Sequence, residues 1–222
     1  MDRALITRLL SLLTAVLLGV ANASAEQGIT FSPAAISQWP TREFAEPVDY
    51  SLSEIDGQSA VLGRCEPGGA SALYLEQNID LDATPILTWR WHVDALNPID
   101  VDEQSKAGDD FTARIYAVHQ SGLLPWQTQA INYVWSRNIP PESNWPNPFT
   151  AKAMMLAVQS GSGQLGQWQQ FERNLKEDFQ RLHDQSIDQI DGLAIMTDCD
   201  NTGVASQGAI GAIRLHAQSP GQ

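Results

Sequence analysis

Two short stretches carry the side chains best placed for chemistry. Asp198, Asp200, Thr202 and Gly203 form D-x-D-x-T-G, with Asn201 between the second acid and the threonine. Oxygens at alternate positions, followed by a glycine that permits a sharp turn, can wrap a hard cation such as calcium. A strong calcium loop also needs an acid at its twelfth position. That position is Ala209, so a helix-loop-helix calcium site is excluded. Two readings remain. Asp198, Asp200 and Thr202 form a weak divalent-cation site, or the segment is a tight turn whose Asp and Asn side chains bond to the backbone.

The second stretch is Gly108-Asp109-Asp110-Phe111-Thr112-Ala113-Arg114. If the strand that follows reaches back over it, Asp110, Thr112 and Arg114 share one face and Asp109 points the other way. An arginine buried in mid-strand needs an anionic partner. Asp110 or Asp198 is the expected one, and Arg114 is then half of a structural ion pair or a ligand-binding group lining a groove. Asp109 or Asp110, Arg114 and Asp198 are therefore expected to converge in one polar cluster. A strand followed by D-x-D-x-T also resembles the nucleophile motif of haloacid-dehalogenase-type phosphatases. That motif opens a doubly wound α/β domain, whereas here it nearly closes a chain of successive strands, so the phosphatase reading is set aside.

Flat aromatic rings stack on sugars. Tyr133, Trp135 and Trp145 are candidate ligand contacts beside Asp109, Asp110, Arg114, Asp198, Asp200 and Asn201. Trp145, in a proline-rich segment, is the expected exposed platform; Trp89 and Trp91 are read as core. His92, His119, His183 and His216 lack metal-ligand spacing, and no G-x-S-x-G, H-E-x-x-H or phosphate-cradling loop is present. Acids are abundant, so a carboxylate pair for glycoside hydrolysis stays open.

The elements that must position these residues are mostly strands. Pro85 to Val93 alternates, with Leu87, Trp89, Trp91 and Val93 on an apolar face and Arg90 on a wetter or groove-lining one. Phe111–His119, Ile131–Ser136 and Lys152–Gln159 read the same way, as do the shorter Ser59–Arg64, Ala70–Glu76 and Trp168–Arg173. Ile36–Phe44 has an amphipathic look, with Trp39 and Phe44 as packing anchors, and Leu123-Leu124-Pro125-Trp126 is a loop with apolar anchors. The four prolines of Asn138–Thr150 argue against any regular element there. Leu175, Phe179 and Leu182 have helical spacing, which predicts one helix over Leu175–His183. Many short strands with one helix predict an all-β antiparallel sandwich, a jelly roll, as a single domain over residues 26–222.

The first 25 residues read as a signal peptide: Arg3 and Arg8, an apolar run from Leu9 to Val20, then Ala23-Ser24-Ala25. No other long apolar run follows, so no transmembrane span is expected in the mature chain. Removing the leader takes away a net +1 and moves the formal charge from -13 to -14. So acidic a chain is a poor partner for nucleic acid. The expected location is periplasmic or secreted. In an oxidising compartment Cys65 and Cys199 are expected to form a disulfide.

Four motifs carry a resemblance. Leu87-Thr88-Trp89-Arg90-Trp91-His92-Val93, Lys106 through Tyr116, Ile131-Asn132-Tyr133-Val134-Trp135 and Thr197 through Gly203 occur in the order found in the DUF3047 family of exported bacterial proteins. The resemblance implies a jelly roll akin to galactose-binding-like domains and carbohydrate-binding modules; it implies no activity. Cys199, where the family suggests Thr or Ser, departs from the pattern and points to a bond with Cys65 particular to this branch. The expected function is a non-catalytic binding module for a glycan or other cell-envelope component. The alternatives are a glycan-active enzyme using the acidic, Arg-containing centre, and a structural partner in an envelope complex.

Overall fold

The structure is a computed structural model that describes residues 28–120, 122 and 127–218. The leader expected over residues 1–25 and the Leu123–Trp126 loop lie outside the described residues. The strands run in chain order as β1 (Ile29–Phe31), β2 (Thr41–Glu43), β3 (Asp49–Ile55), β4 (Gln58–Cys65), β5 (Ala70–Asp80), β6 (Ile86–Val93), β7 (Arg114–Gln120), β8 (Thr128–Ser136), β9 (Asn144–Asn147), β10 (Thr150–Ser160), β11 (Gln169–Asn174), β12 (Gln189–Asp198), β13 (Ser206–Ile210) and β14 (Ile213–His216). A short helix, α1 (Pro33–Ile36), precedes β2, and α2 (Leu175–His183) follows β11.

The strands form a sandwich of two sheets. The first has the order β1-β14-β6-β13-β4-β3, with β11 on the other side of β6; the second has the order β2-β5-β12-β7-β8-β10-β9. Its central strands explain the core. Leu87, Trp89, Trp91 and Val93 of β6 meet Ile115, Ala117, Ile131, Tyr133, Trp135, Leu193 and Ile195 of the second sheet. Trp89 stacks on Phe171 at 5.6 Å and meets Tyr133 at 5.2 Å between ring centres. The period of two in these strands thus does what alternation should: one face of each is removed from water.

Helix α2 covers the residues predicted for it. The Asn174 side chain accepts from the backbone N–H groups of Lys176 and Glu177 and caps the first turn. Leu175 and Phe179 are buried against the core.

Four expectations are corrected. The sheets are antiparallel except at β8 and β10, which run parallel, because the proline-rich connection carries the chain back before β10 starts. That connection itself contains β9, Pro146 included. β9 lies at the edge of its sheet, where a missing N–H costs no ladder bond. Phe44 lies just past the end of β2, outside the core: it is 60% exposed, and its ring carries the Arg42 guanidinium at 5.7 Å. Thr88 and His92 share the expected wetter face of β6 yet are buried; half-buried Arg90 lies over the Trp168 ring at 5.2 Å.

Cys65 and Cys199 are bonded, with Cα atoms 6.1 Å apart across 134 residues of sequence. The bond ties the end of β4 in one sheet to the residue after β12 in the other. The D-x-D-x-T-G loop starts beside it.

Candidate functional site

Residues that alternate outward on the second sheet form the floor of the site. Ala72 and Tyr74 of β5, Ala194 and Met196 of β12, Arg114 and Tyr116 of β7, and Asn132 of β8 lie in register across neighbouring strands. Above them runs an open trough of about 780 Å³, floored by Ala72, Ala130 and Ala194 and flanked by Tyr74, Tyr116 and Lys152. It continues into a pocket of about 420 Å³ at the Arg114 end, lined by Asp109, Arg114, Asn132, Asp198, Asp200 and Asn201 among others. Phe44, beyond β2, and Phe149, between β9 and β10, both line this pocket although β2 and β9 are opposite edges of the sheet. The sheet is therefore curled, and two of its exposed phenylalanines form jaws.

Arg114 is 1% exposed and is the hub. Its Nε donates to Asp198 Oδ1 at 2.9 Å, and Nη2 donates to Asp198 Oδ2, a bidentate pair. Nη1 donates to Asp109 Oδ1 at 3.4 Å, and Nη2 also reaches the Asp109 carbonyl. The guanidinium lies over the Phe111 ring at 4.8 Å. Asp198 Oδ1 accepts a further bond from the Phe111 N–H at 2.9 Å, and Thr197 Oγ1 donates to the Thr112 carbonyl at 2.9 Å. Gly208 lets this segment pack: a Cβ there would stand 2.3 Å from the Thr112 carbonyl oxygen.

Asp110 does something different. Its Oδ1 accepts from the Asn201 N–H (3.1 Å) and Nδ2 (3.0 Å), and its Oδ2 from the Thr202 N–H (2.6 Å) and Oγ1 (2.5 Å). The D-x-D-x-T-G loop is thus a turn, held from outside by an acid of the other motif. Gly203 closes it at φ +66°, a conformation glycine adopts without steric cost. Thr202 Oγ1 also accepts from Asn97 Nδ2 at 2.6 Å, so Thr202 is a turn anchor. Oxygens of Asp110, Asp198 and Asp200 lie within 4.8 Å of one another, so Asp110 takes the place expected of Thr202 among the oxygens that could hold a cation.

Four carboxylates around one guanidinium leave an excess of negative charge. Burial pushes the Asp198 carboxyl well above the usual carboxylate range, against the pull of Arg114. Burial raises Asp109 likewise, and Asp200 is raised by burial and by the Asp110 charge. Burial alone would lower the Arg114 guanidinium, but Asp109 and Asp198 outweigh it and hold it above its ordinary value. Burial also pushes the Tyr116 hydroxyl up to about 12.

The structure brings Asp109, Asp110, Arg114, Asp198, Asp200 and Asn201 together and removes the three aromatic candidates. Tyr133 and Trp135 point into the sandwich core, on the opposite face of β8 from Asn132. Tyr133 donates its hydroxyl to Asp178 at 2.9 Å. Trp145 is 5% exposed because it packs against Phe111, Val134, Met155 and Ala157 in a small cluster of its own. Asp109, expected to face away, reaches Arg114 because β7 begins only at Arg114; the residues before it are not extended strand. Phe44, Tyr74, Tyr116, Asn132 and Phe149 were missed as site residues. Tyr74 and Tyr116 carried a signal, since they alternate against core residues.

Fold and site together define a two-sheet β-sandwich with a polar, arginine-centred pocket at the end of a trough on one sheet. The chain belongs to DUF3047, a family of proteins of unknown function, which matches residues 37–214. No curated protein matches the sequence. Among solved structures it is similar in outline to the Endo-D glycoside hydrolase domain from Streptococcus pneumoniae R6, at 9% identity and a TM-score of 0.43 over 82% of this chain and 22% of that one. It is also similar to a low-affinity xylan-binding module from Roseburia intestinalis, at 13% identity and a TM-score of 0.35 over 86% and 96%. A family 11 carbohydrate-binding module from Clostridium thermocellum matches at 9% identity and a TM-score of 0.39 over 90% and 92%. At these values the likenesses concern the outline of the fold.

Proposed function

We propose that this protein is a non-catalytic binding module for a glycan or other cell-envelope component, acting in the periplasm or outside the cell after loss of a leader over residues 1–25. The observation that carries the reading is the trough. An open groove with a small-residue floor and tyrosine flanks can take an extended chain of sugar rings, and the pocket gives it a polar end. Among the described residues no helix is long and apolar enough to cross a membrane. The acids favour binding over hydrolysis. A glycosidase needs two carboxyls free to act on the scissile bond, while Asp198 and Asp110 each have both oxygens bonded within the protein. A divalent cation such as calcium, if it binds, would sit at Asp110, Asp198 and Asp200, and weakly, because each Asp110 oxygen already holds two donors. Calorimetric titration against a panel of soluble polysaccharides tests the reading. Binding that Tyr74→Ala weakens at least tenfold is expected. Product release from the panel by wild-type protein would favour the enzyme alternative, and absence of binding to the whole panel would leave the structural-partner alternative.

A further inference from the structure

The pocket at the end of the trough is short of hydrogen-bond donors. Asp109, Asp198 and Asp200 line it against a single cation, Arg114, and every nitrogen of that guanidinium is already turned to Asp109 or Asp198. A second, independent feature points the same way. Asn132, 1% exposed, lines the same pocket. Its Nδ2 donates to the Met155 sulfur at 3.2 Å, but its Oδ1 has no partner among the described residues. A buried acceptor without a donor is costly, and a guest that supplies one relieves the cost. Of the other polar side chains in the lining, Tyr116, Asn147 and Asn201 already donate to Met196, Asp109 and Asp110, and Ala70, Ala153, Met196, Phe44 and Phe149 supply its apolar surface. At about 420 Å³ the pocket is far larger than a bare ion and falls within the range of small-molecule sites, roughly 300–1,000 Å³.

We propose that this pocket selects a sugar unit bearing a free amine. The proposal rests on the binding-module reading and names the unit recognised at the trough's polar end. A protonated amine brings three donors and one positive charge to a site with unengaged acceptors and surplus negative charge. The pyranose ring supplies C–H faces for Phe44 and Phe149. A uronate or phosphate-bearing unit meets the acids and is repelled. N-acetylation removes the charge and leaves one N–H, so it should weaken binding strongly.

Three disaccharide probes test this by calorimetry at low salt: one of glucosamine units with a single free amine, its fully N-acetylated counterpart, and one with a carboxylate in place of the amine. The amine form is expected to bind at least tenfold more tightly than the acetylated form, and the carboxylate form not at all. Asp200→Asn should cut the amine's advantage below threefold. Neutralising an acid that does not line the pocket, the exposed Asp49, by Asp49→Asn should leave that advantage intact, which separates recognition from attraction to the chain's overall charge. Equal affinity for the amine and acetylated forms overturns the proposal; if Tyr74→Ala then weakens both, the module reading stands. Retention of the full advantage in Asp200→Asn overturns it as well. Saturation by calcium chloride with no amine preference would assign the centre to a metal and overturn it. Absence of binding by all three probes overturns it, and the polysaccharide panel then decides the module reading separately.

Discussion

Replacing Arg114 by methionine is the most searching perturbation of the centre. The side chain keeps much of its volume and its contact with Phe111, but three charge-assisted bonds to Asp198 and Asp109 disappear, as does the bond to the Asp109 carbonyl. Two buried carboxyls then lack a counter-charge. Removing one partner of a buried pair costs about 3–5 kcal/mol. For a chain of this size that lowers the melting temperature by roughly 6–20 °C, at about 2–4 °C per kcal/mol. The cost should depend on pH. Protonated carboxyls need no counter-charge, so the loss should be greatest near neutrality and shrink on acidification. Arg114→Lys should fall between the two, because an ammonium cannot span both Asp198 oxygens in the same plane. Urea denaturation of the three proteins from pH 4 to pH 8 measures this directly. A cost under about 1 kcal/mol at pH 7, or a cost that does not vary with pH, would refute the view that Arg114 is a buried counter-ion.

The raised Asp198, Asp109 and Asp200 carboxyls predict a stability contribution that is full below the unfolded value, near 3.9, and lost as pH rises through their folded values. The difference in unfolding free energy between wild type and Asp198→Asn should therefore change steadily with pH over that window; a constant difference would contradict the raised value. Breaking the Cys65–Cys199 bond by a double serine substitution should cost about 2–5 kcal/mol, read as a lowered denaturation midpoint, and intact mass without reductant should show the loss of two hydrogens. Calcium at ten times a dissociation constant of about 10⁻³ M should add only about 1.4 kcal/mol, a rise of a few degrees that Asp200→Ala abolishes; a rise that persists in the Asp198→Ala, Asp200→Ala double variant would place the ion elsewhere. Asp200→Asn should leave the melting temperature within about 2 °C of wild type, because Asp200 is exposed and its carboxyl bonds locally, to Asn201 Nδ2 and its own backbone N–H.

Sequence periodicity was a good guide where a strand has one buried and one open face. The alternation of Pro85–Val93 placed Trp89 and Trp91 correctly in the core, and the spacing of Leu175, Phe179 and Leu182 placed α2 to the residue. It failed where tertiary position outranks local pattern. Pro146 is tolerated because β9 is an edge strand, and no local signal distinguishes an edge from an interior. Tyr133 and Trp135 alternate as any half-buried strand would, and the pattern alone does not say which face is covered. Phe44 and Phe149 are over a hundred residues apart and meet across the pocket only because the sheet curls. Curvature belongs to the whole sheet and is written in no single segment.

The acids show the same limit at the level of the site. Alternation set Asp109 apart from Asp110 and Arg114, and nothing in the spacing singled out a carboxylate pair among Asp109, Asp110, Asp198 and Asp200. Counting donors separates them. Asp110 takes four bonds from the 201–202 turn, Asp198 takes three from Arg114 and the Phe111 N–H, and Asp109 is held between Arg114 and Asn147. Each of these is bound into the architecture of the pocket. Asp200 is bonded only locally, to Asn201 and its own backbone N–H, and is the exposed one of the four. Three carboxylates and Arg114 thus shape and charge the pocket, while the proposed recognition of a guest falls to Asp200 and to the unpartnered oxygen of Asn132. That division follows from the requirement that buried polar groups be satisfied, which spacing in a sequence does not reveal.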